Sequence, residues 1–186
     1  MNEYTDTVKW LRYLLYVGIA AMVNTVLNIF LPAIASWLSP ILTLAALYMM
    51  ARLAASNGRY LRSILFNGAA LVVTILNIQQ VALAGLLCGI IGQYQEYHAH
   101  SELIADRDSK LAVKWSNLFF IQLGVNLFLV VMNVLSVAVF IGAAELDSVV
   151  ISAIITVITA VILLILKIVY LVYLNRTVKV LEAVVE

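Results

Sequence analysis

Long apolar stretches are the feature of this sequence that most constrains its fold. Four of them, at residues 10–31, 38–55, 115–141 and 149–174, approach or exceed the roughly 20 residues that a helix needs to cross a bilayer. A soluble domain of 186 residues cannot bury so many such segments. Only 11% of the residues are charged, against about 25% in an average soluble domain. The sequence therefore predicts an all-α integral membrane protein.

Two shorter apolar segments lie in the middle of the chain, at residues 61–78 and 81–97. Each offers roughly 18 residues, the lower edge of what a spanning helix requires, so this pair could cross fully or only part way. With it we predict a single transmembrane domain over residues 1–186, built as six transmembrane helices in three hairpins. The longest connection between spans is then the loop at residues 98–114.

Local chemistry predicts where two of these helices begin. Ser39 can cap a helix N-terminus, and Pro40 after it suits the first helical position. Asp147 and Ser148 offer the same kind of cap to the last span. We expect the second and sixth helices to start at these residues.

The basic residues predict the orientation of the chain. All eleven fall on one side of the six-span layout or at its edge, whereas the opposite loops, at 32–37, 79–80 and 142–148, contain no Lys or Arg. Because short cytoplasmic loops carry the excess of positive charge, both termini are predicted to lie in the cytoplasm, with the chain spanning the cell (inner) membrane several times. The basic residues are Lys9, Arg12, Arg52, Arg59, Arg62, Arg107, Lys110, Lys114, Lys167, Arg176 and Lys179.

Self-comparison of the sequence indicates an internal repeat. Residues 20–29 and 69–78 are identical at seven of ten positions, including a threonine and an asparagine. A second offset relates Val-Lys-Trp at 8–10 to Val-Lys-Trp at 113–115. We interpret the three hairpins as copies of one unit that all enter from the cytoplasm, which makes the repeats parallel and inverted-repeat transporter folds less favoured.

The repeat places Asn28, Asn77 and Asn133 at equivalent positions. The three amides could converge on one polar site, or they could cap helix ends. Asn28 lies 18 residues after Trp10, about 27 Å along a helix and close to the far edge of a ~30 Å hydrocarbon core. That depth favours the capping role, since helix termini need such hydrogen-bond partners.

Two further amides are predicted to lie inside the membrane. Gln122 and Asn126 share a face of the fifth span, and Asn126 is about 16 Å along the helix from Trp115. Thr159 on the last span reaches a similar depth, so we expect it to be a partner for Asn126. Interhelical packing is favoured over a solute pathway as the role of these polar side chains.

Ionisable residues give little support for ion coupling within the predicted spans. Lys167 lies about 27 Å along the helix from Val149, which places it at the cytoplasmic edge, where a lysine can extend its ammonium to water. Glu96 falls in the hydrophilic stretch that begins at the end of the fourth span, so we expect no Asp or Glu deep inside a span. A carboxylate-based proton or cation site is therefore disfavoured.

The same stretch contains a weak candidate metal site. If it is helical, His98, Glu102 and Asp106 share one face and could present imidazole and carboxylate groups to a divalent cation. An amphipathic helix explains these residues equally, with Asp106 paired to Lys110, and this interpretation is favoured. No metal or other cofactor is expected.

Gly85 and Gly89 form a Gly-x-x-x-Gly step in the fourth span, a pattern that permits close helix contact. The contact could lie within the hairpin, or it could join the chain to a second copy or to another membrane protein. The net charge of +1, without a basic block, indicates no nucleic-acid partner.

These observations favour a non-enzymatic membrane protein that binds or passes a small solute, alone or as the membrane subunit of a transporter. An alternative is a regulatory, assembly or immunity-type partner of another membrane protein. A second alternative is a membrane-embedded metal-dependent enzyme that uses His98 and His100. We predict no catalytic residues, because the chain has no nucleophile elbow and both histidines lie on one segment.

Overall fold

The computed structural model describes residues 2–76, 81–142 and 145–185, with side chains at all of these positions except 2, 3, 29, 82, 129, 132–156 and 185. These residues form six helices, so the prediction of an all-α chain is confirmed for the part described. The helices are α1 (Asn2–Phe30), α2 (Pro32–Leu53), α3 (Gly58–Ile75), α4 (Ala82–Ile104), α5 (Ser109–Gly142) and α6 (Glu145–Val185).

Four of these helices are long and apolar enough to cross a membrane. Among the described residues the qualifying segments are Tyr4–Asn28, Pro32–Leu53, Ser109–Phe128 and Val157–Val184. Large apolar side chains also point away from the bundle, and Trp37 is 78% exposed. Hydrocarbon around the helices removes the cost of exposing such side chains to water. Length, composition and exposure thus indicate a membrane-embedded protein.

The six helices form a closed ring. Each helix packs against the helices before and after it in the chain, and α6 returns to pack against α1. α4 also contacts α6 across the ring. Because successive helices are joined by short connections, neighbours run in opposite directions. This arrangement brings side chains from distant parts of the sequence to the interior of one bundle.

The start of α2 differs from its prediction. The helix begins at Pro32, one turn and more before Ser39, and Pro40 lies inside it. Pro32 occupies the first helical turn, where a missing backbone N–H costs nothing, so the chain needs no later start. Pro40 has no backbone N–H, so the Ser36 carbonyl loses the hydrogen bond that it would otherwise accept within α2. α6 likewise begins at Glu145, before Asp147 and Ser148.

The predicted loop at 98–114 is mostly helical. α4 continues to Ile104, α5 begins at Ser109, and only a short turn separates them. The Asp108 carboxylate accepts a hydrogen bond from the Leu111 backbone N–H at 2.9 Å, an N-cap that sets the start of α5. The polar residues of this segment therefore extend two helices beyond their apolar parts.

A polar contact ties α4 to the turn before α3. Asn57 caps α3 by accepting a hydrogen bond from the Arg59 N–H at 2.8 Å, and its amide donates to Glu102 at 3.0 Å. Arg59 Nε lies 2.6 Å from the same carboxylate. Burial raises the pKa of Glu102, but the hydrogen bonds from Asn57 and Arg59 outweigh it and hold that pKa below the ordinary value. The contact thus joins the start of α3 to α4 at the end of the bundle that carries most of the basic residues.

Small residues allow α3 and α4 to approach closely. A Cβ added at Gly85 would lie 2.8 Å from Val73 Cγ1, and one at Gly89 would lie 3.8 Å from the Ala70 Cβ. One at Gly92 would collide with the Asn67 side chain. The Gly85–Gly89 step therefore makes a contact within the hairpin, which is one of the two alternatives that the sequence left open.

An aromatic cluster fills the core at the same end of the bundle. The Trp115 ring is fully buried and lies 5.6 Å from Tyr97, 4.6 Å from His100 and 5.4 Å from Tyr170, measured between ring centroids. Trp115 Nε1 donates to Thr177 Oγ1 at 3.0 Å, which satisfies the indole N–H inside the core. The cluster joins α4, α5 and α6 at one end of the bundle interior.

Candidate functional site

A cavity of about 520 Å³ lies inside the ring of helices. Its walls come from α1, α2, α3, α4 and α6, and apolar side chains such as Leu14 and Leu47 form part of them. Polar groups face it as well, although water is excluded from most of a helical bundle in lipid. The amide and charged members of the lining are Asn24, Asn67, Gln93, Glu96 and Lys167.

Lys167 lies on the α6 wall of this cavity, and its ammonium is directed to α1. Its Nζ donates to the Ala21 carbonyl oxygen and to Thr25 Oγ1, each at 3.2 Å. Both acceptors are neutral, and among the described residues no ion pair includes Lys167. An unpaired ammonium in such a place is costly, so residues of this kind in membranes mark functional sites.

The position of Lys167 at the cytoplasmic edge stays a prediction, since it concerns depth in the membrane. That prediction counted helix length from Val149, but α6 has 41 residues, far more than one crossing needs. Nine residues, about 14 Å of helix, separate Lys167 from Arg176 on the basic end. The ammonium of the half-buried Lys167 lies against the C-terminal part of α1, at Ala21 and Thr25.

Glu96 faces the cavity from α4. Its Oε1 accepts a hydrogen bond from the Tyr170 hydroxyl at 2.5 Å and lies 3.8 Å from His100 Nε2, and the side chain is 12% exposed. The expectation that no Asp or Glu lies inside a membrane span stays a prediction, but the packed helices do hold this carboxylate. α4 continues as a helix through Glu96 to Ile104, which keeps this carboxylate among the helices instead of in a loop.

His100 extends this polar network away from the cavity. It is fully buried, its Nδ1 lies 2.8 Å from the Tyr60 hydroxyl, and its Nε2 has no hydrogen-bond partner in the described part of the chain. A row of polar groups therefore leads from the cavity toward the N-terminus of α3, in the order Glu96, His100 and Tyr60. Carboxylate, imidazole and phenol groups in such a series are all able to exchange protons.

Asn24 is the third polar feature of the wall, on the same stretch of α1 that meets Lys167. Its amide donates to the Ala35 carbonyl oxygen at 3.1 Å, which joins α1 to α2. Its Oδ1 is buried, and no described group donates to it. A buried acceptor of this kind is uncommon, because most find a donor in the protein, in water or in a ligand.

Gln122, predicted as an intramembrane polar residue, does not line the cavity but contacts a residue that does. Its Oε1 accepts from the Tyr97 hydroxyl at 2.5 Å, and its Nε2 donates to Gln93 Oε1 at 3.3 Å. Gln93 in turn lines the cavity. Gln122 therefore positions a lining amide and bridges α4 to α5.

The other predicted intramembrane residues lie apart from the cavity. Asn126 and Thr159 are half-buried, and within the described residues no hydrogen bond joins them. Asn28 is exposed and does not line the cavity, so it does not converge on the interior. Asn77 lies outside the described residues, as does the side chain of Asn133.

The weak metal candidates are not brought together. α4 ends at Ile104, so Asp106 falls in the following turn and leaves the helical face that His98 and Glu102 share. His98 Nδ1 lies 3.1 Å from the Tyr94 carbonyl oxygen, and Glu102 is held by Arg59. Among the described residues no group of three His, Cys, Asp or Glu side chains is placed to hold a metal ion.

Sequence patterns did not assign any of the five amide and charged lining residues to a site, namely Asn24, Asn67, Gln93, Glu96 and Lys167. A signal was present for two of them, because Glu96 closes a predicted span and Lys167 interrupts an apolar run. Asn24 and Asn67 gave no comparable signal, since a single amide in an apolar helix most often serves packing.

Comparison with known proteins adds no further assignment to this geometry. No protein family, curated protein or solved structure matches the chain.

Proposed function

We propose that this chain is a six-span membrane protein that binds or passes a small polar solute through the cavity between its helices. The observation that carries the proposal is the pair of opposite charges, Lys167 and Glu96, on the lining of one cavity. Packing alone gives no benefit for placing such groups inside a membrane bundle, because each is costly to remove from water. A polar solute with a negative group supplies the counter-ion that Lys167 lacks among the described residues.

The six-span arrangement is supported by the outer surface of the central hairpin. Leu65 on α3 and Leu83 on α4 are 65% and 70% exposed. Side chains like these are compatible with lipid on both helices, although neither helix meets the criteria for a span by itself. α3 and α4 also complete the ring and line the cavity, which favours placing both beside the four longer helices.

Equivalent contacts on α1 and α3 support the repeat. Thr25 Oγ1 donates to the Ala21 carbonyl oxygen and Thr74 Oγ1 to the Ala70 carbonyl oxygen, each at 2.9 Å. All four residues line the cavity, and the 49-residue offset relates the two pairs. We propose that duplicated hairpins form opposite walls of one solute site.

Transport or binding by purified protein tests the proposal. The chain is reconstituted into liposomes and given a panel of radiolabelled amino acids, organic acids, amines, sugars and nucleosides, with binding followed in parallel by thermal shift in detergent. We expect saturable uptake or a concentration-dependent shift for at least one class. No response to any class would contradict a solute function.

A cavity-filling variant makes this test specific. Thr43 lines the cavity and its hydroxyl donates only to the Ser39 carbonyl oxygen of its own helix, so Thr43→Phe fills space without breaking a contact between helices. Leu44 is the next residue and is 55% exposed on the outer face, which makes Leu44→Phe a matched control. The response should be lost in Thr43→Phe and kept in Leu44→Phe.

A further inference from the structure

The charges in the cavity narrow the chemical class of solute. Lys167 contributes a cation whose described contacts, Ala21 and Thr25, are uncharged. Glu96 contributes a carboxylate that accepts from Tyr170 and lies near His100. In the described part of the chain no ion pair joins Lys167 to Glu96, although both residues line the same cavity.

A low dielectric makes net charge in this cavity expensive. A solute with a single charge would satisfy one of the two groups and leave the other without a counter-ion, whereas a neutral solute would leave both. A solute that carries one carboxylate and one ammonium matches both groups and brings no net charge into the membrane.

Asn24 provides a further contact of matching chemistry. Its Oδ1 lies buried on the cavity wall without a described donor, one residue before Thr25, which binds the Lys167 ammonium. An ammonium group has three N–H donors, so it can satisfy this oxygen and a carboxylate together. A solute without N–H or O–H donors would leave the oxygen unsatisfied.

We propose that the solute is a small amino-acid-like zwitterion, with its carboxylate on Lys167 and its ammonium toward Glu96 and Asn24. This inference rests on the proposed solute function and adds the class of ligand. The cavity of about 520 Å³ lies within the range of about 300–1,000 Å³ that small-molecule sites occupy. The carboxylate takes the N–H of Lys167 that is not directed to Ala21 or Thr25.

Matched ligands on the wild-type protein test the ligand class directly. Glycine, alanine, leucine, β-alanine and 4-aminobutyrate are each titrated beside the corresponding desamino acid, decarboxylated amine and carboxamide, with the protein in lipid nanodiscs. We expect at least one zwitterion to bind about tenfold or more tightly than all of its relatives, since each charge-assisted hydrogen bond contributes on that scale. The inference is overturned if no zwitterion exceeds its single-charge relatives.

Charge variants then locate the two ends of the ligand. Lys167→Met should weaken the zwitterion about tenfold or more and bring its affinity down to that of the corresponding amine, while Lys167→Arg retains most of the binding. Glu96→Gln should bring it down to that of the desamino acid. Lys179 is exposed on the same helix and lines no part of this cavity, so Lys179→Met should leave binding unchanged.

The outcomes separate this inference from the proposed function. If a neutral or singly charged solute binds best and Thr43→Phe removes that binding, the solute function stands and the zwitterion is wrong. If no solute of any class binds the folded wild-type protein, both fail.

Discussion

The environment of a side chain in this protein depends on which residue of another helix packs against it. Trp10 and Trp115 each end a copy of the same Val-Lys-Trp motif, yet their surroundings differ. Trp115 is fully buried and donates to Thr177, whereas Trp10 is partly exposed, with the Arg52 guanidinium 4.8 Å from its ring centroid. An interior indole N–H needs an acceptor, while a ring near the bundle surface can reach water. The cost of changing either residue therefore follows from its site and not from the motif.

Removal of the buried indole N–H tests this difference. We expect Trp115→Phe to lower the free energy of unfolding by about 1–3 kcal/mol, because the Thr177 hydroxyl loses its partner and some buried ring area is lost. Unfolding by sodium dodecyl sulfate in mixed micelles measures the change. Trp10→Phe should cost less. The hydrogen bond is unimportant if Trp115→Phe costs as much in a Thr177→Val background as in the wild type.

Pairs of helices in this bundle are specified by small residues more than by apolar patterning. α3 and α4 approach closely because Gly85, Gly89 and Gly92 present no side chain to α3. In lipid the apolar side chains of a helix gain little from turning inward, so close backbone approach and polar contacts select the neighbours. Asn67 meets α4 at Gly92 and also lines the cavity, so the contact between these helices shapes the site.

A methyl group on this contact should separate the two helices. Gly85→Ala places a Cβ 2.8 Å from Val73 Cγ1, and we expect the free energy of unfolding to fall by about 1–3 kcal/mol, the usual cost of overpacking. Gly124→Ala on α5 is the control, because a Cβ there meets nothing within 4 Å. That variant should be neutral or stabilising by up to about 1 kcal/mol through helix propensity. Equal effects of the two variants would contradict a close α3–α4 contact.

At the scale of the whole molecule, the ring of helices has two chemically different ends. Arg12 on α1 pairs with Glu182 on α6, and Arg59 pairs with Glu102, all near the termini and the two hydrophilic turns. At the other end of the bundle, the turn at Leu31 and the residues around it in the sequence include no Lys or Arg. Positive charge in membrane proteins collects on the cytoplasmic side, so we propose that the end with Arg12 and Arg59 faces the cytoplasm.

Cysteine labelling tests this orientation. Cys88 is the single cysteine and is replaced by serine, after which Ala33→Cys and Asp106→Cys are introduced separately. Both positions are exposed and lie near opposite ends of the bundle. A membrane-impermeant maleimide should label Ala33→Cys in intact cells and label Asp106→Cys only after permeabilisation. The reverse pattern would place the termini outside the cell, and the Cys88→Ser chain alone provides the background.

The helices and the membrane character of the chain could be predicted from its local properties. Apolar length near 20 residues is a property of one segment, so it can be recognised before any neighbouring helix is known. Helix ends were less accessible where two signals competed, as at Pro32 and Pro40, because both prolines suit a first turn. The polar segment after residue 97 was interpreted as an amphipathic helix, but its continuity with α4 up to Ile104 was not predicted, because an apolar span and a polar helix give different patterns.

The site was decided by tertiary structure. No local pattern relates Lys167 to Thr25, which is 142 residues away, or Tyr170 to Glu96, which is 74 residues away. A polar residue in an apolar helix can turn to lipid, to a neighbour or to a cavity, and only the packing of six helices selects among these. The sequence by itself determined which medium surrounds the helices, since transfer to lipid depends on summed side-chain polarity. Which polar groups face one another depends on rotation and register between helices, and those follow from contacts such as Gly85 against Val73 that exist only in the assembled bundle.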